Sequence, residues 1–154
     1  YQPDECAEAQ PVPMLAFHGV DDIVVPLAGR DTPAAGTLLP VREALEAQAR
    51  RNGCSGGPKA TERSPRVHEL TWSGCEQPTT LIELDDHGHA WPGHPMPYDK
   101  DLLVGMFSGG GTQPPNPLMV AIGASPEAMA DNVLLTNSDI DATDLIWQFF
   151  TARR

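Results

Sequence analysis

Leu81-Ile82-Glu83-Leu84-Asp85-Asp86-His87-Gly88-His89-Ala90-Trp91-Pro92-Gly93 is the stretch on which the reading of this chain turns. A short apolar run bounded by turn-forming residues reads as a buried strand, with Asp85 to Gly93 as the loop at its carboxyl end. An imidazole in that position is well placed for acid/base work, because its free pKa lies near neutrality.

Upstream, Val67 to Trp72 alternates apolar and polar positions over a second short strand. The connection between them holds Gly74 and Pro78 and is too short for a crossover helix, so these two strands should pair antiparallel. Before them, Cys54 to Pro65, with Gly56-Gly57-Pro58, reads as a surface loop. A helix is expected over Val41 to Asn52, with Val41, Leu45 and Ala49 on its inner face and Gly53 as the stop. Gly29 to Pro40 reads as a loop, and Met14 to Phe17 as a central strand covered on both faces. Strand, helix, strand is the alternation of an α/β protein with a mostly parallel sheet and flanking helices.

Downstream, residues 95–137 break the pattern with Gly109-Gly110-Gly111 and Pro114-Pro115-Asn116-Pro117, and read as a lid-like insert. Inside it, Ser125-Pro126-Glu127 opens a short helix through about Asn132. Asp141 should cap a final helix, 141–152, whose stripe of Leu145, Ile146, Phe149 and Phe150 is expected to dock on the sheet as core.

The histidine loop has a counterpart in His18-Gly19-Val20-Asp21-Asp22-Ile23-Val24-Val25-Pro26, which lies after the first strand and offers a carboxylate at the same kind of position. The residues alone leave Asp21 and Asp22 as near-equal candidates, with a solvated turn as the plain alternative. Taken in order, His-Gly-x-x-Asp-x-x-Val-Pro at 18–26, Asn52-Gly53-Cys54, Trp72-Ser73-Gly74-Cys75, Gly88-His89-x-Trp91-Pro92-Gly93 and Asp141-Ala142-Thr143-Asp144-Leu145-Ile146-Trp147-Gln148-Phe149-Phe150 resemble the secreted polyhydroxybutyrate depolymerase and feruloyl esterase group of α/β-hydrolases. The resemblance implies the carboxyl-terminal part of an α/β-hydrolase fold, carrying Asp22 and His89 of a Ser-His-Asp triad; carboxylate before histidine is that fold's chain order after its nucleophile.

The resemblance also supports a Cys54–Cys75 disulfide and implies that Cys6 bonds to a segment beyond the nucleophile, the missing amino-terminal half of the domain. A buried free thiol is the other reading of Cys6. Trp91 either walls the loop or stacks on an aromatic acyl group such as a hydroxycinnamoyl moiety.

Ser108, in Phe107-Ser108-Gly109, lacks a glycine at the right offset and a strand to launch a nucleophile elbow. The serine is therefore expected on a segment missing from this sequence, which begins at Tyr1 and reads as part of something longer. Asp85, Asp86, His87, His89 and His94 supply metal-ligand types, but no HExxH helix or cysteine knuckle accompanies them, so neither metal nor cofactor is expected. His18 is expected to order its own turn, and His68 to be exposed.

A formal charge of −11, from 10 basic and 21 acidic residues, argues against nucleic acid and anionic membranes as partners. Three cysteines without a C-x-x-C motif favour disulfide bonding in an oxidising compartment, hence a secreted protein. The expected function is that of a secreted serine esterase acting on a hydroxycinnamoyl or polyester-like substrate. The alternative is a secreted non-catalytic module that holds carbohydrate or polymer on the same scaffold.

Overall fold

The computed structural model describes residues 10–32, 36–109 and 117–152. Cys6 lies outside them. The element order is β1 (Met14–Gly19), β2 (Arg30–Thr32), β3 (Gly36–Leu38), α1 (Val41–Arg51), β4 (Gly56–Ser64), β5 (Val67–Ser73), β6 (Thr79–Leu84), α2 (Lys100–Phe107), α3 (Pro117–Ile122), α4 (Pro126–Leu134) and α5 (Ala142–Thr151).

The main sheet has the order β1-β6-β5-β4, and β2 with β3 forms a separate hairpin. β6 is buried at every position, as a strand with neighbours on both sides and cover on both faces should be. Side chains alternate across a strand. Leu81 joins Leu70 and Trp72 of β5 beneath Leu45 and Ala49 of α1. Ile82 and Leu84 join Val67 on the opposite face, where Leu15, Phe17 and Leu145 of α5 pack against them. Glu83, 3 % exposed in the middle of this strand, is matched by Arg42 of α1 through paired hydrogen bonds of 2.7 and 2.6 Å.

The expected mostly parallel sheet of an α/β-hydrolase portion is not what the chain builds. The fold is α/β, but its sheet is mixed and mostly antiparallel: only β1 and β6 run parallel, while β6, β5 and β4 form an antiparallel meander. The cause is connection length. Pro65-Arg66 joins β4 to β5 and Gly74–Pro78 joins β5 to β6, and neither can hold the dozen or more residues of a crossover. The antiparallel β5–β6 pair was legible from this rule, but the strand after α1 takes the far edge of the sheet instead of lying beside β1.

That strand, β4, occupies the stretch expected to be a surface loop. Its seven interior positions are all exposed, so no apolar alternation announces it. Backbone pairing with β5 and the Arg63–Glu69 ion pair hold it, and Pro58, Lys59 and Arg63 suit an edge strand that must not recruit another.

Helix expectations hold more closely. α1 keeps Leu45 and Ala49 inward, and Gly53 (φ 69°) lies just past its end. Ser125 caps α4 by accepting from the Ala128 N–H, and Asp141 caps α5 by accepting from Thr143 and Asp144. The α5 stripe is only partly core, however. Leu145 packs on the sheet, while Phe150 is 49 % exposed. Cys54 and Cys75 are disulfide-bonded, joining the start of the β4 segment to the β5–β6 turn. No helix among the described residues is long and apolar enough to cross a membrane, and the disulfide is consistent with an extracellular protein.

Candidate active site

β1 and β6 run parallel, so Gly19 and Leu84 end side by side and the two loops leave the same end of the sheet. Val20 N–H donates to Leu84 C=O (2.9 Å) and Asp21 N–H to His87 C=O (3.1 Å), which brings the loops into backbone contact. Gly19 is required there: a Cβ at this position would lie 2.2 Å from the His87 carbonyl oxygen. Asp86, at φ 52°, makes the left-handed turn that carries the chain from β6 into the histidine loop.

Asp22 is the carboxylate that meets His89. Its Oδ2 accepts from His89 Nδ1–H at 2.8 Å, and its Oδ1 accepts from the N–H groups of Val24 (2.8 Å) and Val25 (2.9 Å). Asp22 is 7 % exposed, whereas the neighbouring Asp21 is exposed and joins the network through its backbone. Burial alone would raise the Asp22 pKa. The His89 hydrogen bond, the Val25 and Val24 N–H donors and the imidazole charge outweigh it and hold the carboxyl below its usual range. His89 responds in the opposite sense: its hydrogen bond to Asp22 raises its pKa against the partial desolvation of the ring. With Nδ1 bound to Asp22, the ring's other nitrogen, Nε2, has no hydrogen-bond partner among the described residues.

His87 lies two residues away in a different environment. It is 1 % exposed; Nε2–H donates to Ala90 C=O (3.1 Å), and Nδ1 accepts from Asn137 N–H (3.0 Å). Both contacts require the neutral ring, and burial pushes its pKa down. The remaining metal-ligand candidates are dispersed. His94 pairs with Asp141 (3.0 Å), Asp85 with His68 (3.0 Å) and Asp86 with Arg66 (3.6 Å). Among the described residues no group of three or more His, Cys, Asp or Glu could hold a metal ion. His68 is thus half-buried and paired rather than exposed, and His18 orders its own turn by donating from Nε2 to Val25 C=O (2.8 Å).

A cavity of about 630 Å³ opens beside His89 and Asp22, walled by Leu15, Phe17, Trp91, Met96 and Ile146. Trp91 is half exposed at its edge, with Nε1–H directed to the Thr143 hydroxyl of α5 (3.3 Å). No serine, threonine or cysteine lines this cavity among the described residues. The chain does contain one G-x-S-x-G match that sequence reasoning missed, Gly53-Cys54-Ser55-Gly56-Gly57. It leads from a helix into a strand, the reverse of a nucleophile elbow. Ser55 N–H bonds to Ser73 C=O, at the end of β5 remote from the histidine loop. Ser64, Ser73, Ser108, Ser125 and Ser138, the chain's other serines, are also absent from the cavity wall.

Asn132 and Asn137, which sequence reasoning did not single out, are both buried and both bond to these loops. The chain matches no protein-family model, no curated protein and no solved structure.

Proposed function

We propose that this chain supplies the acid and base half of a secreted serine esterase, with Asp22 orienting His89 and His89 acting as general base toward a serine carried outside these residues. The observation that carries the reading is the 2.8 Å contact between a buried carboxylate and one ring nitrogen of a histidine at a largely apolar cavity, whose other nitrogen has no hydrogen-bond partner among the described residues. Asp22 fixes the tautomer with the proton on Nδ1, leaving Nε2 as the acceptor. Nε2 takes the serine proton as the oxygen attacks the ester carbonyl, and the resulting imidazolium, stabilised by Asp22, returns it to the leaving alcohol. Water then repeats the exchange on the acyl-enzyme. The order of motifs resembling the polyhydroxybutyrate depolymerase and feruloyl esterase group supports an ester substrate, and Trp91 at the cavity edge suits a hydroxycinnamoyl or polyester-like acyl group.

The test is a chromogenic short-chain ester assay. The 154-residue chain alone is expected to show no saturable turnover. A longer product of the same gene that carries a serine elbow is expected to hydrolyse the ester, with a rate that rises with pH as His89 loses its proton. Asp22→Asn in that product should lower the rate about 10⁴-fold. Turnover by the 154-residue chain that disappears in His89→Ala would show that the site is complete without an external serine. An inactive longer product that binds polymer would favour the non-catalytic module.

A further inference from the structure

We infer that Asn132, on α4, is the positioning residue that sets the Asp22–His89 contact, its side-chain oxygen acting as a shared acceptor for the two loops. Oδ1 accepts from His89 N–H at 3.1 Å and from Ile23 N–H at 3.3 Å, and Nδ2 donates to Asp21 C=O at 2.6 Å. One amide therefore holds the backbone of the histidine itself and the backbone on both sides of Asp22. Asn132 is 6 % exposed and is separated in sequence by 109 residues from Ile23 and by 43 from His89, so neither loop can make this link locally.

The approach is close enough to constrain the sequence of the histidine loop. A Cβ on Gly88 would lie 2.0 Å from the Asn132 carbonyl oxygen, so the residue preceding His89 has to be glycine for α4 to seat. Met129 on the same helix packs with Val24 and Met119, which anchors α4 to the acid loop by apolar contact as well. α4 belongs to the segment expected from sequence to form a lid. Its contacts fasten the Asp-His pair from behind.

The physical requirement is relative position. Asp22 and His89 sit on separate loops, and a 2.8 Å charge-assisted hydrogen bond between them survives only if both backbones are held to a few tenths of an ångström. Oδ1 fixes that separation because a single atom is the reference point for both N–H groups. Asn132 touches no reacting atom, so its removal should alter the state of His89 rather than remove a catalytic group.

The inference rests on the pairing used in the proposed function but needs no ester assay. The ¹⁵N and ¹H imidazole signals of His89 in the 154-residue chain report both its titration and its hydrogen-bonded Nδ1–H. The wild-type chain should show a raised pKa and a downfield Nδ1 proton. In Asn132→Ala both should be lost, with His89 titrating as an ordinary exposed histidine while the signals of His68 stay in place. Asn132→Asp keeps an oxygen acceptor for the two N–H groups, gives up the donation to Asp21 C=O and adds a negative charge near the ring, so it should keep the downfield Nδ1 proton and leave the His89 pKa at least as raised as in wild type. Retention of the wild-type signature in a folded Asn132→Ala protein would overturn the inference, as would its loss in folded Asn132→Asp. If Asn132→Ala fails to fold, Asn132→Asp decides alone. An unshifted His89 in the wild-type chain would instead remove the Asp22–His89 pairing, and the esterase reading with it.

Discussion

At the end of the sheet where β5 turns into β6, the chain is held by the Cys54–Cys75 disulfide and by Asn52. The Asn52 amide accepts from Val12 N–H (3.0 Å) and donates to Val12 C=O and to the Thr79 hydroxyl, each at 2.8 Å. At the opposite end, where β1 and β6 release their loops, Asn132, Asn137 and His87 take the place of the covalent link. Asn52 at one end and Asn132, Asn137 and His87 at the other are all buried and hydrogen-bonded. One uses groups that do not titrate near neutrality, while the other relies on a buried neutral imidazole beside a charged Asp-His pair. Proton uptake should therefore loosen the two ends unequally, and the end that carries the candidate chemistry is the sensitive one.

The largest effect is expected from the disulfide. Replacing Cys54 and Cys75 together by Ser removes a cross-link spanning 21 residues and should cost about 3 kcal/mol of unfolding free energy in urea titrations. The His89 titration should not move, and a shift in it would show that the two ends are mechanically coupled.

Asn137→Ala acts at the other end. Asn137 is 0 % exposed, donates to Asp85 C=O (2.8 Å) and Arg66 C=O (3.2 Å), and accepts from Asp139 N–H (2.8 Å). Leaving those buried groups unpaired should cost about 2 kcal/mol. Hydrogen exchange should accelerate at Gly88, whose N–H bonds to Leu135 C=O, and stay slow at Glu76, whose N–H bonds to Asn52 C=O. Equal acceleration at both would erase the contrast.

Acid should separate the ends by the sign of each shift. His87 is depressed below 6.5 by burial, so the unfolded chain takes up the proton first. Its stabilisation is complete above pH 6.5 and is lost as pH falls through the folded value. His89 is raised by Asp22, so its contribution is complete below pH 6.5 and is lost as pH rises through its folded value. Asp22, held below 3.8, contributes above that pH and fails only in stronger acid. Replacing His87 by Gln removes the first contribution alone. The stability advantage of wild type over His87→Gln should therefore shrink as pH falls from about 7 to about 5, measured by urea midpoints at each pH. A constant difference would mean that folding leaves the His87 pKa unchanged.

The smallest effect belongs to the exposed face of the β4 edge. Arg63→Ala deletes an ion pair whose arginine side chain is 41 % exposed, and should change stability by no more than about 0.5 kcal/mol. A larger loss would mean that β4 depends on its side chains rather than on backbone pairing.

What could be read in the residues is what nearest neighbours decide. The four-residue spacing of Val41, Leu45 and Ala49, the caps at Ser125 and Asp141, and the short link from β5 to β6 each act over a few positions. They placed α1, α4, α5 and one antiparallel pair, and the histidine and aspartate loops stood out because both come directly after strand-like runs. β4 was silent because its interior positions are all exposed and carry no large apolar side chain to mark a period of two, and its partner is chosen by backbone pairing at the sheet edge. The residues by themselves left Asp21 and Asp22 near-equal and only the motif resemblance favoured Asp22; in the structure the fixed approach of the two loops sets Asp22 against His89, since both aspartates lie in one turn. Tertiary structure alone gathered Asn132 and Asn137 to the site, because an asparagine bonds to whatever backbone the fold brings beside it, and no pattern along the chain records a contact 109 residues away.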